Sequence, residues 1–180
     1  VFFIVFFNTF QGARSVDADL ISTARFLGAG EGQIMRTVII PSTLAWTFER
    51  LVRLPETLER LRAEQSAGDG EAFLTATIQE ALRRRPVLPN SAPRLVKRPF
   101  EAGGWDYAPG VCVVPNAYLL HHDADVYPEP YAFRPERFLA DPPGTYTWIP
   151  FGGGRRRCLG AGFAMLEMRI VLRGVLAAHR

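Results

Sequence analysis

Lysine is all but missing from this 180-residue chain, where Lys97 is the one lysine among 21 basic residues and arginine supplies the rest. Against 18 acidic residues this leaves a net charge of +3, too modest for a nucleic-acid footprint. Cysteine is nearly as scarce. Cys112 and Cys158 give no disulfide framework, and a reduced, cytoplasmic setting is expected. Long apolar runs are absent as well: Val1 to Phe7 covers seven residues, far short of the ~20 that span a bilayer as a helix. No positively charged segment precedes that run, which argues against a signal peptide. Repeats and low-complexity tracts are missing, and so is an initiating methionine, which suggests a fragment or an alternative start. What is present is a globular composition, 48% hydrophobic, long enough for one ordinary domain with a real core.

The most informative stretch runs from Trp148 to Gly160, W-I-P-F-G-G-G-R-R-R-C-L-G, followed by the apolar-periodic run Ala161 to Ala178. Gly152 to Gly154 open backbone conformations closed to other residues and let the main chain approach a flat ligand. Cys158 then falls at the start of a predicted helix, where unpaired N–H groups and the positive dipole end favour a thiolate, the form that ligates iron. A phosphate-binding Gly/Arg turn with Cys158 as an inert core cysteine is the alternative. Behind the cysteine, Leu159, Phe163, Leu166 and Ile170 recur at helical spacing and read as a core-facing stripe.

A second helix is expected over Glu71 to Arg85, with Phe73, Leu74, Thr77, Ile78, Ala81 and Leu82 at helical spacing and Glu80 and Arg83 three apart on one face. By itself such a pair is a solvated salt bridge worth under ~1 kcal/mol. Before it, Leu54-Pro55-Glu56 opens a helix with proline in its first turn, ending at the Gly68-Asp69-Gly70 break. After it come short strands: Arg94-Leu95-Val96, Phe100 to Tyr107 around Gly103-Gly104, and Val111 to Tyr118, in which Cys112 reads as a small core residue. His121 and His122 have no further ligands at zinc-like spacing, so a metal site is not expected there.

Phe151, Gly154, Arg156, Cys158 and Gly160 fit F-x-x-G-x-R-x-C-x-G, and this part of the chain closely resembles the haem-binding signature of the cytochrome P450 family. Glu80-x-x-Arg83, Phe133-Arg134-Pro135-Glu136-Arg137-Phe138 and His121-x-Asp123-x-x-x-Tyr127-Pro128 resemble text of the same family. The resemblance implies a mainly α fold with small β-sheets, the C-terminal part of the cytochrome P450 fold truncated at both ends. It implies a haem whose iron takes the Cys158 thiolate as axial ligand, with Arg156 and Arg94 pairing with propionates and Phe151, Gly154 and Gly160 shaping the loop. Glu80, Arg83 and Arg137 would form a buried cluster locking that loop to its helix, and Leu88 to Pro93 would line the substrate side. Relatives draw electrons from NAD(P)H through a ferredoxin or reductase and insert one oxygen atom from dioxygen into a small organic substrate. Arg155 and Arg157 would then help dock an acidic donor, or else are simply solvated.

Residues 1–41 differ in character. Ala24-x-x-x-Gly28, then Val38-x-Ile40-Pro41, resembles the coupling-loop signature of binding-protein-dependent ABC importer permeases, although the family's leading Glu-Ala pair is Ser22-Thr23 here. The chain thus reads as a fusion near Pro41 to Thr43: a permease-like fragment over 1–41 and a P450-like region over 42–180. Leu44 to Leu51 resembles the last turns of the long helix over the distal haem face. Counting back, the family's oxygen-activating acid and threonine would fall at Val38 and Ile39, which cannot relay a proton, so no catalytic residue is assigned. A permease needs several membrane spans, which leaves a haem-thiolate monooxygenase impaired by truncation as the leading reading. An importer fragment or an inert product is the alternative.

Overall fold

The computed structural model describes residues 40–68 and 70–178. Ala24, Gly28, Val38 and Ile39 therefore lie outside the described residues, as does most of the permease-like segment. Among the described residues six helices and two small sheets follow in order: α1 (Ile40–Arg53), α2 (Pro55–Ala67), α3 (Ala72–Arg84), β1 (Arg94–Leu95), β2 (Phe100–Ala102), β3 (Trp105–Tyr107), β4 (Cys112–Val113), α4 (Ala117–His121), α5 (Arg137–Ala140) and α6 (Ala161–Ala178). The class is mainly α with small sheets, as expected.

Local chemistry sets the boundaries. Proline opens α2, where its missing N–H costs nothing, and Gly68 ends it in a left-handed conformation with φ 72°, donating its N–H to Glu64 O. The next helix, α3, has no cap of its own. Its start is closed from α2, because the Glu64 carboxylate accepts the N–H groups of Phe73 at 2.7 Å and Leu74 at 2.9 Å. Asn116 caps α4, accepting from Leu119 N at 2.8 Å.

Helix α3 is the hub. It packs against α1, α2, α4, α5 and α6, and its buried residues include Phe73, Leu74, Ile78 and Leu82 together with Thr77, Glu80 and Arg83. The core joins these to Ile40 and Leu51 of α1, Leu61 of α2, Trp148 and Phe151 of the cysteine loop, and Ala164, Met168, Leu172 and Leu176 of α6. The sheets lie apart from this core. Antiparallel β2 and β3 form a hairpin turning at Gly103 and Gly104, both at positive φ, with Phe100 stacked on Tyr107 at 5.2 Å. Antiparallel β1 and β4 pair Arg94 with Val113 and Leu95 with Cys112.

Three expectations are corrected here. Helix α6 buries Ala161, Ala164, Met168, Leu172 and Leu176, while Leu159, Phe163, Leu166 and Ile170 are exposed. The helix is apolar on two faces, and the face with the smaller residues permits the closer approach to α1, α2 and α3. Cys112 is exposed; its strand belongs to a sheet that has two strands among the described residues. The strand expected over Val111 to Tyr118 is confined to Cys112–Val113, since the Asn116 cap turns Ala117–His121 into helix.

Candidate functional site

About two turns into α3, Glu80 and Arg83 are both inaccessible to solvent and face each other in a bidentate pair, Arg83 Nε donating to Glu80 Oε2 at 2.7 Å and Nη2 to Oε1 at 2.9 Å. Arg137 of α5 brings Nε to 3.3 Å from the same carboxylate, and Arg134 donates its backbone N–H at 2.9 Å. The remaining guanidinium donors are met by main-chain carbonyls. Arg83 reaches His121 O at 2.5 Å, Pro130 O at 2.8 Å and Ala132 O at 3.3 Å, and Arg137 reaches Pro128 O at 3.2 Å. Such saturation is what a buried charge pair requires. Glu129 stands in the middle of the segment wrapping both arginines, at φ 50°, in a turn closed by Ala132 N on Glu129 O at 3.0 Å.

The cysteine loop is fastened to this assembly at its start. Trp148 donates its indole N–H to Gln79 O of α3 at 3.1 Å, and Ile149 donates its backbone N–H to His121 Nε2 at 2.9 Å. A row of edge-on rings, Tyr127 to Phe138 at 6.3 Å, Phe138 to Trp148 at 6.3 Å and Trp148 to Phe151 at 6.0 Å, runs from the charged cluster into the loop. Tyr127 donates its hydroxyl to Thr147 O at 3.1 Å, and burial raises its pKa above the usual tyrosine value. From Phe151 the chain turns through Gly152 (φ 73°) and Gly154 (φ 63°), passes through a short 3₁₀ turn at Gly154–Arg156, and closes with Cys158 N donating to Phe151 O at 2.9 Å. Cys158 is partly buried and stands just before α6, which begins at Ala161 rather than at the cysteine.

The structure thus brings Glu80, Arg83 and Arg137 together, and ties Phe151, Gly154, Cys158 and Gly160 into one loop held against them. Arg155, Arg156 and Arg157 are exposed on its outer side. Arg94 is apart, in β1, its guanidinium donating to Ala92 O at 2.7 Å and Pro93 O at 3.2 Å.

Sequence reasoning missed the two histidines' work. His121 is fully buried. Its Nδ1 faces Arg83 O at 3.2 Å, so it carries the proton there and leaves Nε2 free to accept from Ile149. Burial, then the Arg83 charge, pulls its pKa down to about 4, against the opposing effect of the Arg83 carbonyl. His122 repeats the pattern with Nδ1 on Tyr118 O at 2.8 Å and Nε2 facing Arg84 Nη1 at 2.5 Å, and burial lowers its pKa as well. The adjacency of two histidines to a Tyr-Pro was the available signal, but their partners lie 28 and 38 residues away.

The cytochrome P450 family model matches residues 37–180. The chain belongs to the cytochrome P450 family. It is 47% identical over 135 residues to cytochrome P450 137 of Mycobacterium tuberculosis, covering 75% of this chain and 28% of that protein. Cytochrome P450 135B1 of Mycobacterium bovis is 46% identical over 138 residues, covering 74% and 29%. A zebrafish cytochrome P450 solved with abiraterone superposes with a TM-score of 0.69 at 29% identity, covering 81% of this chain and 36% of that one. A six-coordinated P450 of Thermus thermophilus gives 0.67 at 34%, covering 77% and 36%. The chain therefore spans less than a third of the length of these curated relatives.

Family membership implies a haem, and the loop fits one. A soft sulfur donor, Cys158, stands at its end, partly buried and packed against the core, and thiolate sulfur is a fitting ligand for haem iron. A Cβ at Gly154 would meet nothing within 4 Å, and one at Gly152 only Arg156 O at 4.0 Å, so the backbone there is open to a flat group. Leu159, Phe163, Leu166 and Ile170 supply an uncovered apolar row directly after the cysteine. Among the described residues no helix is long and apolar enough to cross a membrane.

Proposed function

We propose that this chain is the haem-binding part of a haem-thiolate monooxygenase, in which Cys158 would supply the thiolate that holds the haem iron. The observation that carries the reading is the Phe151–Cys158 loop, closed on itself by the 2.9 Å bond and fastened to the helix of the buried Glu80–Arg83 pair. When bound, the haem would supply the redox chemistry by which one oxygen atom from dioxygen is inserted into an organic substrate. The chain's own residues would hold it. Cys158 would ligate the iron, Arg156 would neutralise a propionate, and Gly154 and Gly160 would keep the main chain clear of the ring. Phe151 braces the loop from the core side through Trp148. Arg94 would serve a second propionate by releasing the Ala92 and Pro93 carbonyls it now holds. Electrons would come from NAD(P)H through a ferredoxin or reductase docking near the exposed Arg155 and Arg157, in the cytoplasm.

Turnover is expected to be weaker than haem binding, because Val38 and Ile39 stand where the family carries its acid and threonine and neither moves a proton. For residues 1–41 we retain an importer-permease origin. It is supported by the Ala24 to Pro41 pattern, whose last residues, Val38 to Pro41, also fall within the P450 family match over 37–180. Co-purification of an ATPase subunit with the chain would favour the importer reading over the oxygenase one.

The deciding experiment is the carbon monoxide difference spectrum of the dithionite-reduced protein, expressed with a haem precursor. A red-shifted thiolate-type band, abolished by Cys158→Ser, is the expected result. Soluble protein without that band overturns the reading.

A further inference from the structure

We propose that His121 is a positioning residue for the cysteine loop: its ring is the gauge that fixes where the loop starts on α3, and through that where Cys158 stands. Beside the Tyr127 hydroxyl on Thr147 O at 3.1 Å, two bonds anchor the loop's first residues, Trp148 and Ile149, and they differ in kind. Trp148 reaches Gln79 O through a side chain at 3.1 Å, so it tolerates movement of the loop backbone. Ile149 offers its main-chain N–H to His121 Nε2 at 2.9 Å, so this bond fixes the backbone itself. The ring cannot swing away, because the other nitrogen donates to Arg83 O at 3.2 Å and the side chain is wholly buried. Beyond Ile149 the bonds are short-range: Gly152 N on Ile149 O at 3.0 Å, then Cys158 N on Phe151 O at 2.9 Å. These two bonds link the backbone position of Ile149 to that of Cys158. His121 is thus occupied at both nitrogens and acts through the loop, touching no reacting atom.

The consequence for the thiolate rests on the haem reading above, but the tether itself does not. Two substitutions separate the functions of the ring. Asparagine keeps a donor near Nδ1 and has no atom where Nε2 was, whereas glutamine reaches that position with an acceptor. Amide hydrogen exchange at Ile149 is measured on the haem-free chain. It should run about tenfold faster in His121→Asn, the effect of losing one hydrogen bond, and near the wild-type rate in His121→Gln, with α3 amides still protected in both. Wild-type exchange at Ile149 in the Asn protein, or equal acceleration by Asn and Gln, overturns the tether. Should the Asn protein fail to fold, nitrogen-15 spectra of the wild-type imidazole decide instead: protonated Nδ1 with bare Nε2 supports the tether, and the opposite tautomer refutes it. In the haem-loaded proteins, His121→Asn should move much of the ferrous carbonyl band from the thiolate to the neutral-thiol position, and His121→Gln should restore it. An Asn protein with a wild-type band overturns the positioning role. A wild-type protein with no thiolate band overturns the haem reading and leaves the exchange result to judge the tether.

Discussion

Arg83 and His121 bond each other twice and in opposite senses: the guanidinium donates to the histidine carbonyl at 2.5 Å, and the imidazole returns a bond to the arginine carbonyl at 3.2 Å. One arginine therefore holds Glu80, the backbone before the cysteine loop and the ring that fixes the loop. Arg83→Ala leaves the Glu80 carboxylate buried with the Arg137 guanidinium at 3.3 Å and the Arg134 N–H at 2.9 Å to meet it. The expected loss is ~3–5 kcal/mol in urea unfolding, with haem retention lost in parallel. Unchanged haem retention would show that the cluster does not lock the loop.

Acid should weaken the fold through the histidines. The folded protein holds His121 near 4, whereas the unfolded chain titrates it near 6.5, so between those values the unfolded state binds the extra proton. Stability attributable to His121 is complete above about pH 6.5 and falls as pH drops toward 4, by about 3 kcal/mol in all. His122, shifted the same way, steepens the same limb. Urea midpoints compared across this range for wild type and His121→Asn should converge toward the acid end.

Glu64 closes the start of α3 with two bonds, although it belongs to the preceding helix. Glu64→Ala should cost ~1–2 kcal/mol, at the upper side for a lost cap because two N–H groups are exposed together. Glu64→Gln should recover part of it, since one amide oxygen remains to accept. Equilibrium denaturation of the three proteins tests the order.

Gly154 sits at φ 63° with open space around the missing Cβ. Gly154→Ala is therefore opposed by backbone conformation alone, at ~1–2 kcal/mol. Asparagine, which tolerates the left-handed region, should be milder. Thermal midpoints should rank Gly above Asn above Ala.

Much of this arrangement was legible beforehand, and for local reasons. Pro55 and Gly68 bound α2, the periodicity from Phe73 to Leu82 marks α3, and Gly103-Gly104 turns the hairpin. Spacing also put Glu80 and Arg83 on one face, although only the family resemblance said that the face is buried. What was hidden depends on partners distant in sequence. Two apolar rows on α6 compete for the core, and the choice is made by how closely Ala161 and Ala164 let α3 approach. The run around Cys112 reads as an inner strand, but among the described residues its strand pairs only with β1 and Cys112 is exposed. For His121 the sequence says only that no metal site is expected; its role emerges when Arg83 and Ile149 surround it.

The bonds that hold the buried cluster and fasten the cysteine loop to it join residues far apart along the chain: 57 residues between Glu80 and Arg137, then 69 between Gln79 and Trp148 and 28 between His121 and Ile149. Loop-closure entropy must be met before any of these contacts can stabilise the chain, so this loop belongs to the late steps of folding. Interactions made after the transition state govern how fast the native protein comes apart rather than how fast it forms. Trp148 and His121 are thus placed to set the lifetime of the assembled loop, and damage to either would be felt as faster escape from the folded state.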